Sequence, residues 1–333
     1  MTPSGWHNCE FGANKTERAW VGKNRNNINK EKTIMKKLQI MCLLACLLAA
    51  FVLSGCTSES AEQPVNNEPI LTVDEYPRVD GSTANLPMMV KIMQETTGIS
   101  EEEAEQLTSA SKTSAAWTAL ASGFSDLLLV YEAPEVTKED LADIGTELDV
   151  TPIGRDALVF IVNEDNPVDS LTTDQLIDIY TGKITNWSEV GGDDLPIVAF
   201  QRPETSGSQS LFMKLLMQDA EPMDAPTEFR PTEMGSLIEE IASYNNSANA
   251  IGYSVFYYAS YMYQQPGLKF VAVDGVLPGD ETIADGSYPL LNEYYLAVRA
   301  DEEADSPTMK LHDWILSDSG KQAMRDAGYI PLD

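Results

Sequence analysis

Arg202 stands four residues ahead of the turn Ser206-Gly207-Ser208, and the apolar residues Leu211, Phe212, Leu215 and Leu216 follow at helical spacing. This order of residue types could hold an anion. A helix starting at the Ser-Gly-Ser turn presents hydroxyls, unpaired backbone N–H groups and the positive end of its dipole. A guanidinium beside it adds a two-pronged, charge-assisted contact to an oxyanion. Read alone, the run is equally compatible with an ordinary Ser N-cap next to a surface Arg.

Two other helix starts carry the same chemistry. Asp80-Gly81-Ser82-Thr83-Ala84-Asn85-Leu86-Pro87 is a Gly turn with hydroxyls and a Pro in the first helical turn. Ser111-Lys112-Thr113-Ser114-Ala115 is a second hydroxyl-rich start. Ser and Thr cap many helices, so each signal is weak by itself, but three such starts with one Arg point to an oxyanion cradle. Other chemistries have few carriers. The four Cys are at 9, 42, 46 and 56, and the two His are His7 and His312. A Cys nucleophile, a disulfide, a Ser-His-Asp triad or a His-based metal site in the main domain is therefore not expected, and no cofactor is called for.

The sequence has 333 residues and a formal net charge of −30. Residues 1–55 hold 8 basic and 3 acidic side chains, leaving 14 basic and 49 acidic in the rest, a net of −35. Nucleic acid needs a basic footprint and is excluded as a partner. A bound anion is not excluded, because local dipoles and hydrogen bonds in a closed cleft can hold it, but long-range steering of that anion is poor. Glu101-Glu102-Glu103 reads as a solvated helix start.

Lys36 and Lys37 precede an apolar run from Leu38 to Leu53. A basic stretch, a short apolar core and small residues before Cys56 describe a secretory signal over 35–55, too short for a membrane span. Leu53-Ser54-Gly55-Cys56 resembles the lipobox of bacterial lipoproteins. The resemblance implies that Cys56 is acylated, with palmitate among the chains, and becomes the first mature residue; an incidental Cys is the alternative. Residues 1–34 are polar and read as an over-extended or disordered start. Residues 56–69 read as a tether.

The remaining stretch, about 264 residues, is comfortable for two lobes. Helical patterns run over Leu86–Thr97, Ala115–Leu120, Thr172–Tyr180, Ser206–Met217, Gly235–Ala242, Thr308–Leu316 and Ser319–Ala327. Short apolar runs predict strands at Asp126–Tyr131, Ala157–Val162, Ile197–Phe200, Ala250–Ser254, Lys269–Val273 and Tyr294–Val298. The alternation indicates an α/β fold with mostly parallel sheets and flanking helices. Such sheets bind ligands outside the carboxyl ends of their strands, where the three helix starts lie. Tyr253, Phe256, Tyr257, Tyr258, Tyr261 and Tyr263 read as partly core and partly surface, with a sugar- or peptide-binding face as the alternative.

Several motifs together are similar to the PstS-type phosphate-binding proteins, the extracytoplasmic receptors of phosphate ABC importers. They are Pro77-Arg78-Val79-Asp80-Gly81-Ser82-Thr83, the strand from Asp156 to Asn163, Thr181-Gly182-Lys183-Ile184-Thr185-Asn186-Trp187, Arg202 with Ser206-Gly207-Ser208, Ala250-Ile251-Gly252-Tyr253 and Gly328-Tyr329-Ile330-Pro331-Leu332. The resemblance implies a two-lobed, type II periplasmic-binding-protein-like fold with two hinge crossovers, placed near Phe160 and Leu291. Lobe 1 would be 70–159 with 292–333, and lobe 2 would be 160–291. It implies phosphate bound between the lobes and delivered to a permease with its ATPase by a monomeric, lipid-anchored bacterial protein, with no catalysis. By position, Thr83, the N–H of Ala84, Thr113, Arg202, Ser206, the N–H of Gly207 and Ser208 would bind the anion, supported by Ser82, and Glu204 would pair with the Arg.

One position departs from that family, whose receptors place an Asp after the second strand to accept the proton of bound phosphate. Here Glu132 occupies the carboxyl end of that strand, with Tyr131 as a possible hydroxyl partner. Glu132 is expected to take the role and to reject fully ionised sulfate. A receptor for another tetrahedral oxyanion, a phosphatase using the same cradle, and a sensing or adhesion lipoprotein are the competing readings.

Overall fold

The computed structural model describes residues 69–225, 229–243 and 247–332. The expected signal segment, the lipobox Cys56 and most of the tether lie outside them. Among the described residues no helix is long and apolar enough to cross a membrane.

The first part of the chain forms β1 (Val79–Gly81), α1 (Leu86–Thr97), α2 (Glu101–Leu107), α3 (Thr113–Ala121), β2 (Leu127–Tyr131) and α4 (Glu135–Ile144). In α1, Met88, Met89, Ile92 and Met93 recur on one face and are buried. Burial of each such side chain stabilises by roughly 1.5–3 kcal/mol. Gly98 ends the helix in the left-handed region, with its N–H on the Gln94 carbonyl. All five residues of β2 are buried, as expected of a strand covered on both faces.

The long strand β3 (Leu148–Asn163) organises the rest. As far as Ala157 it pairs with β8 (Leu291–Arg299); from Leu158 it pairs with β6 (Ala250–Val255), and from Phe160 also with β7 (Leu268–Val273). One strand therefore runs from a first half-sheet, β1-β2-β8-β3, into a second, β3-β6-β5, with β5 at Val198–Ala199. The short strands β4 (Ser170–Leu171) and β9 (Ile330–Pro331) pair with β7 and β3. Helices α5 (Thr173–Tyr180), α6 (Gly207–Leu211), α7 (Met234–Ser243), α8 (Asp280–Ala284), α9 (Pro307–Leu316) and α10 (Asp318–Asp326) complete the described fold.

The sheet is more mixed than the expected mostly parallel one. β1-β2, β4-β7 and β5-β6 are parallel, whereas every ladder involving β3 or β8 is antiparallel. Continuous apolar runs report burial on both faces but carry no sign of strand direction. The expected helix Ser206–Met217 is α-helical only through Leu211 and widens into π turns over Phe212–Met217. There Phe212 stacks on Tyr253 with centroids 4.4 Å apart and meets Tyr180 edge-on at 4.7 Å. Of the aromatic group, Tyr253 is fully buried and Tyr261 is 47% exposed.

Asp156 sits where β3 changes partners. Its carboxylate accepts from Tyr131 Oη (2.6 Å), Ala157 N (2.7 Å) and Tyr257 N (3.2 Å), so it ties β2, β3 and the segment after β6 together. Burial dominates and pushes this carboxyl up to about 6, against the opposing pull of those donors. The unfolded carboxyl ionises near its ordinary 3.8. Between these values the folded state holds more protons, so raising the pH through that window destabilises, by about 3 kcal/mol in total. The isosteric, neutral Asp156→Asn should gain stability over the parent as pH rises through the window, with a constant gain above it. Urea unfolding of both proteins from about pH 4 to pH 8 measures this; a pH-independent difference would contradict it.

Candidate functional site

The turn after β1 is built for close approach. A Cβ on Gly81 would lie 1.9 Å from the Leu129 carbonyl oxygen of β2, so no larger residue fits. Asp80 accepts from Gly81 N (2.7 Å), Ser111 N (2.8 Å) and Ser111 Oγ (2.5 Å), which lashes the loop before α3 to the loop after β1. Ser82 is buried; its Oγ accepts from Tyr131 N (3.0 Å) and lies 2.9 Å from Thr113 Oγ1. Thr83 and the buried Ala84 open a 3-10 turn that leads into α1. Tyr329 Oη donates to the Ala84 carbonyl (2.6 Å).

On the second half-sheet, Arg202 follows β5 and is 6% exposed. Its backbone N–H is shared between Gln209 Oε1 (3.0 Å) and Tyr253 Oη (3.1 Å), and Tyr253 in turn donates to Gln209. Among the described residues its guanidinium makes one hydrogen bond, from Nη2 to the Thr232 carbonyl (2.9 Å). Nε and Nη1 are buried and have no hydrogen-bond partner among the described residues. A buried cation with unmet donors is costly, by several kcal/mol after relaxation, and burial lowers the Arg202 pKa from its ordinary value. Such an arrangement persists where an anion supplies the missing acceptors. Ser206 Oγ and Ser208 Oγ lie 3.0 Å apart at the start of α6.

The two halves meet at these groups. A Cβ on Gly207 would stand 2.5 Å from Thr113 Oγ1, so the starts of α3 and α6 face each other in contact. Ser114 Oγ donates to the Thr205 carbonyl (2.9 Å), and Lys112 Nζ reaches Glu233 Oε1 (2.6 Å). Ser82, Thr113, Gly207 and, through Ser206, Ser208 are thus gathered at one seam, and Arg202 reaches the same region through Thr232, the neighbour of Glu233.

Three sequence expectations fare differently. Glu132 lies just past β2, as anticipated, but its oxygens are taken by Lys138 (2.9 Å) and, across the seam, by Lys214. Burial alone would raise its pKa; the two lysines outweigh it and hold the carboxyl below its ordinary value. It shares with Arg202 and Glu204 a groove of about 950 Å³ between the β2–α4 turn and α6. The Tyr131 hydroxyl is engaged by Asp156, to which it donates (2.6 Å). Glu204 is exposed, and among the described residues no ion pair joins it to Arg202; the carboxylate whose charge bears on that guanidinium is Glu233. Lys112, Gln209, Thr232 and Glu233 escaped sequence reading. Of these, only Lys112 stood inside a motif, the hydroxyl-rich start Ser111-Lys112-Thr113-Ser114-Ala115.

A family model described as the PBP superfamily domain matches residues 66–319, most of the chain. The chain belongs to the PBP superfamily. Among curated members, the phosphate-binding protein PstS of Bacillus subtilis is 32% identical over 172 residues, 51% of this chain and 53% of that protein. The chain therefore spans about half the length of that relative. The PstS of Borreliella burgdorferi is 26% identical over 209 residues, 61% of this chain and 72% of that protein. Among solved structures, a protein from Clostridium perfringens crystallised with bound phosphate superposes with a TM-score of 0.60 at 24% identity, covering 77% of this chain and 98% of that one. An ABC-type phosphate transport receptor from Vibrio cholerae gives 0.56 at 24%, covering 76% and 98%. At these identities the structural likeness establishes the two-lobed fold of this PBP-superfamily member.

Proposed function

We propose that the chain binds a tetrahedral oxyanion, inorganic phosphate above all, between its two lobes and without chemical turnover. The observation that carries this reading is the Arg202 guanidinium: buried, with Nε and Nη1 unpartnered among the described residues, beside a seam of hydroxyls. The binding set is Thr83, the N–H of Ala84, Thr113, Arg202, Ser206, the N–H of Gly207 and Ser208. An anion among them accepts charge-assisted bonds worth about 1.5–3 kcal/mol each. Closing the lobes over it expels water and strengthens each bond. The names of the curated relatives support phosphate as the ligand.

Glu132 is the reason to test more than one anion. A carboxylate engaged by two lysines does not select for a ligand proton, so Glu132 should add no preference for phosphate over sulfate. Calorimetry of the domain from Ser58 onward, stripped of ligand, against phosphate, sulfate and molybdate decides the matter. No binding of any of them refutes the reading, and strong exclusion of sulfate returns Glu132 to the ligand.

In this reading the chain is an extracytoplasmic receptor, monomeric, that hands its anion to a membrane permease driven by an ATPase. It is held to the membrane by acylation of Cys56. Cys56→Ser should move the protein out of the membrane fraction or leave its signal attached; normal processing and retention would contradict the anchor.

A further inference from the structure

Lys112 has φ 78 and ψ 163 at the N-cap of α3. That backbone region is one that residues bearing a Cβ rarely enter, and such outliers collect at functional sites. The chain on either side fixes the residue there. Ser111 is lashed to Asp80 through both its N–H and its hydroxyl. Thr113 is buried, with Oγ1 2.9 Å from Ser82 Oγ. From this position the ammonium crosses the seam to Glu233 Oε1 at 2.6 Å, with both side chains more than half exposed. An ordinary exposed ion pair does not require a strained backbone to form it.

The partner explains the arrangement. Glu233 follows Thr232, whose carbonyl already accepts Arg202 Nη2 (2.9 Å). A carboxylate one residue from that carbonyl is well placed to swing onto the guanidinium and meet Nε and Nη1, the two donors without partners among the described residues. There it would compete with an incoming anion. We propose that Lys112 is a positioning residue that sets the affinity of the anion site, drawing Glu233 across the seam and so leaving the Arg202 guanidinium to the ligand. This rests on the anion-binding reading of Arg202. The charged and titratable groups around Glu233 fit the assignment. Among the described residues Lys112 pairs with it and Arg202 feels its charge, and Tyr258, which also bears on Arg202, is a neutral hydroxyl at ordinary pH.

The test is a set of four variants titrated with inorganic phosphate by calorimetry beside the parent, with thermal melting to show that each is folded. Lys112→Met should weaken binding about tenfold, the size expected when one carboxylate changes partner. Lys112→Arg, which keeps the pair, should bind as the parent does. Glu233→Gln should bind at least as tightly as the parent, because the competing charge is gone. The double variant Lys112→Met with Glu233→Gln should recover most of the loss. A latch that merely holds the lobes together gives another pattern: Glu233→Gln then weakens binding as much as Lys112→Met, and the double variant recovers nothing. That pattern, or unchanged binding in Lys112→Met, overturns the assignment of Lys112 and leaves the anion site standing. A parent that binds no phosphate overturns both.

Discussion

Arg202→Met should abolish high-affinity phosphate binding while the protein stays folded and gains stability without ligand. The Arg202 guanidinium is buried at the seam, with Nε and Nη1 lacking partners among the described residues. Losing a charge-assisted pair inside a closed cleft costs on the order of 2–5 kcal/mol of affinity. The same side chain burdens the empty protein, since a desolvated charge with unmet donors is unfavourable wherever no anion answers it. Methionine fills much of the volume and removes the charge. Affinity and ligand-free stability should therefore move in opposite directions, a pairing that an ordinary core substitution does not produce. Calorimetry and ligand-free urea unfolding provide the two readings. A variant that binds phosphate like the parent removes Arg202 from the site, and one that is destabilised and inactive together marks it as structural.

Gly207→Ala should also weaken binding, for a steric reason. The added methyl would stand 2.5 Å from Thr113 Oγ1. Thr113 has little room to yield, being buried, β-branched and in contact with Ser82 Oγ at 2.9 Å. The cleft must then stay ajar or break that contact, at a cost of about 1–3 kcal/mol in the closed form. The open form loses nothing, because alanine suits a helix start better than glycine does. Affinity should fall roughly 5- to 150-fold by this estimate, with the radius of gyration in saturating phosphate larger than the parent's. Parent-like affinity would mean that the two helix starts do not face each other in the bound state.

The sequence was most legible where a single physical cause wrote the pattern. The Leu86–Thr97 helix came out whole because its buried methionines and Ile92 repeat at helical spacing and Gly98 ends it. Helix α4 was missed because only Thr137 of its ten residues is buried, so it has almost no apolar stripe to read. The first half of β3 was missed for a related reason. Asp149, Pro152, Gly154 and Arg155 interrupt it, and its identity as a strand comes from pairing with β8, a long-range fact. In the site, hydroxyls and Arg202 were visible because their chemistry is local to a helix start. Lys112 and Glu233 were not, since their pairing spans 121 positions of sequence and depends on one face meeting another.

The joint between the halves has a mechanical consequence. β3 crosses as one unbroken strand, and at the crossing it is laddered to β8, with Ala157 opposite Leu291 and Leu158 N bonded to the Leu290 carbonyl (2.9 Å). Two leaves tied side by side resist twisting and yield to bending. Opening such a cleft flexes a hydrogen-bonded ribbon, where a loop hinge would simply swivel. A flexure of this kind stores elastic energy as it is displaced and returns it on release. Opening about this joint would be held to one plane, and closing would bring the start of α6 back onto the start of α3.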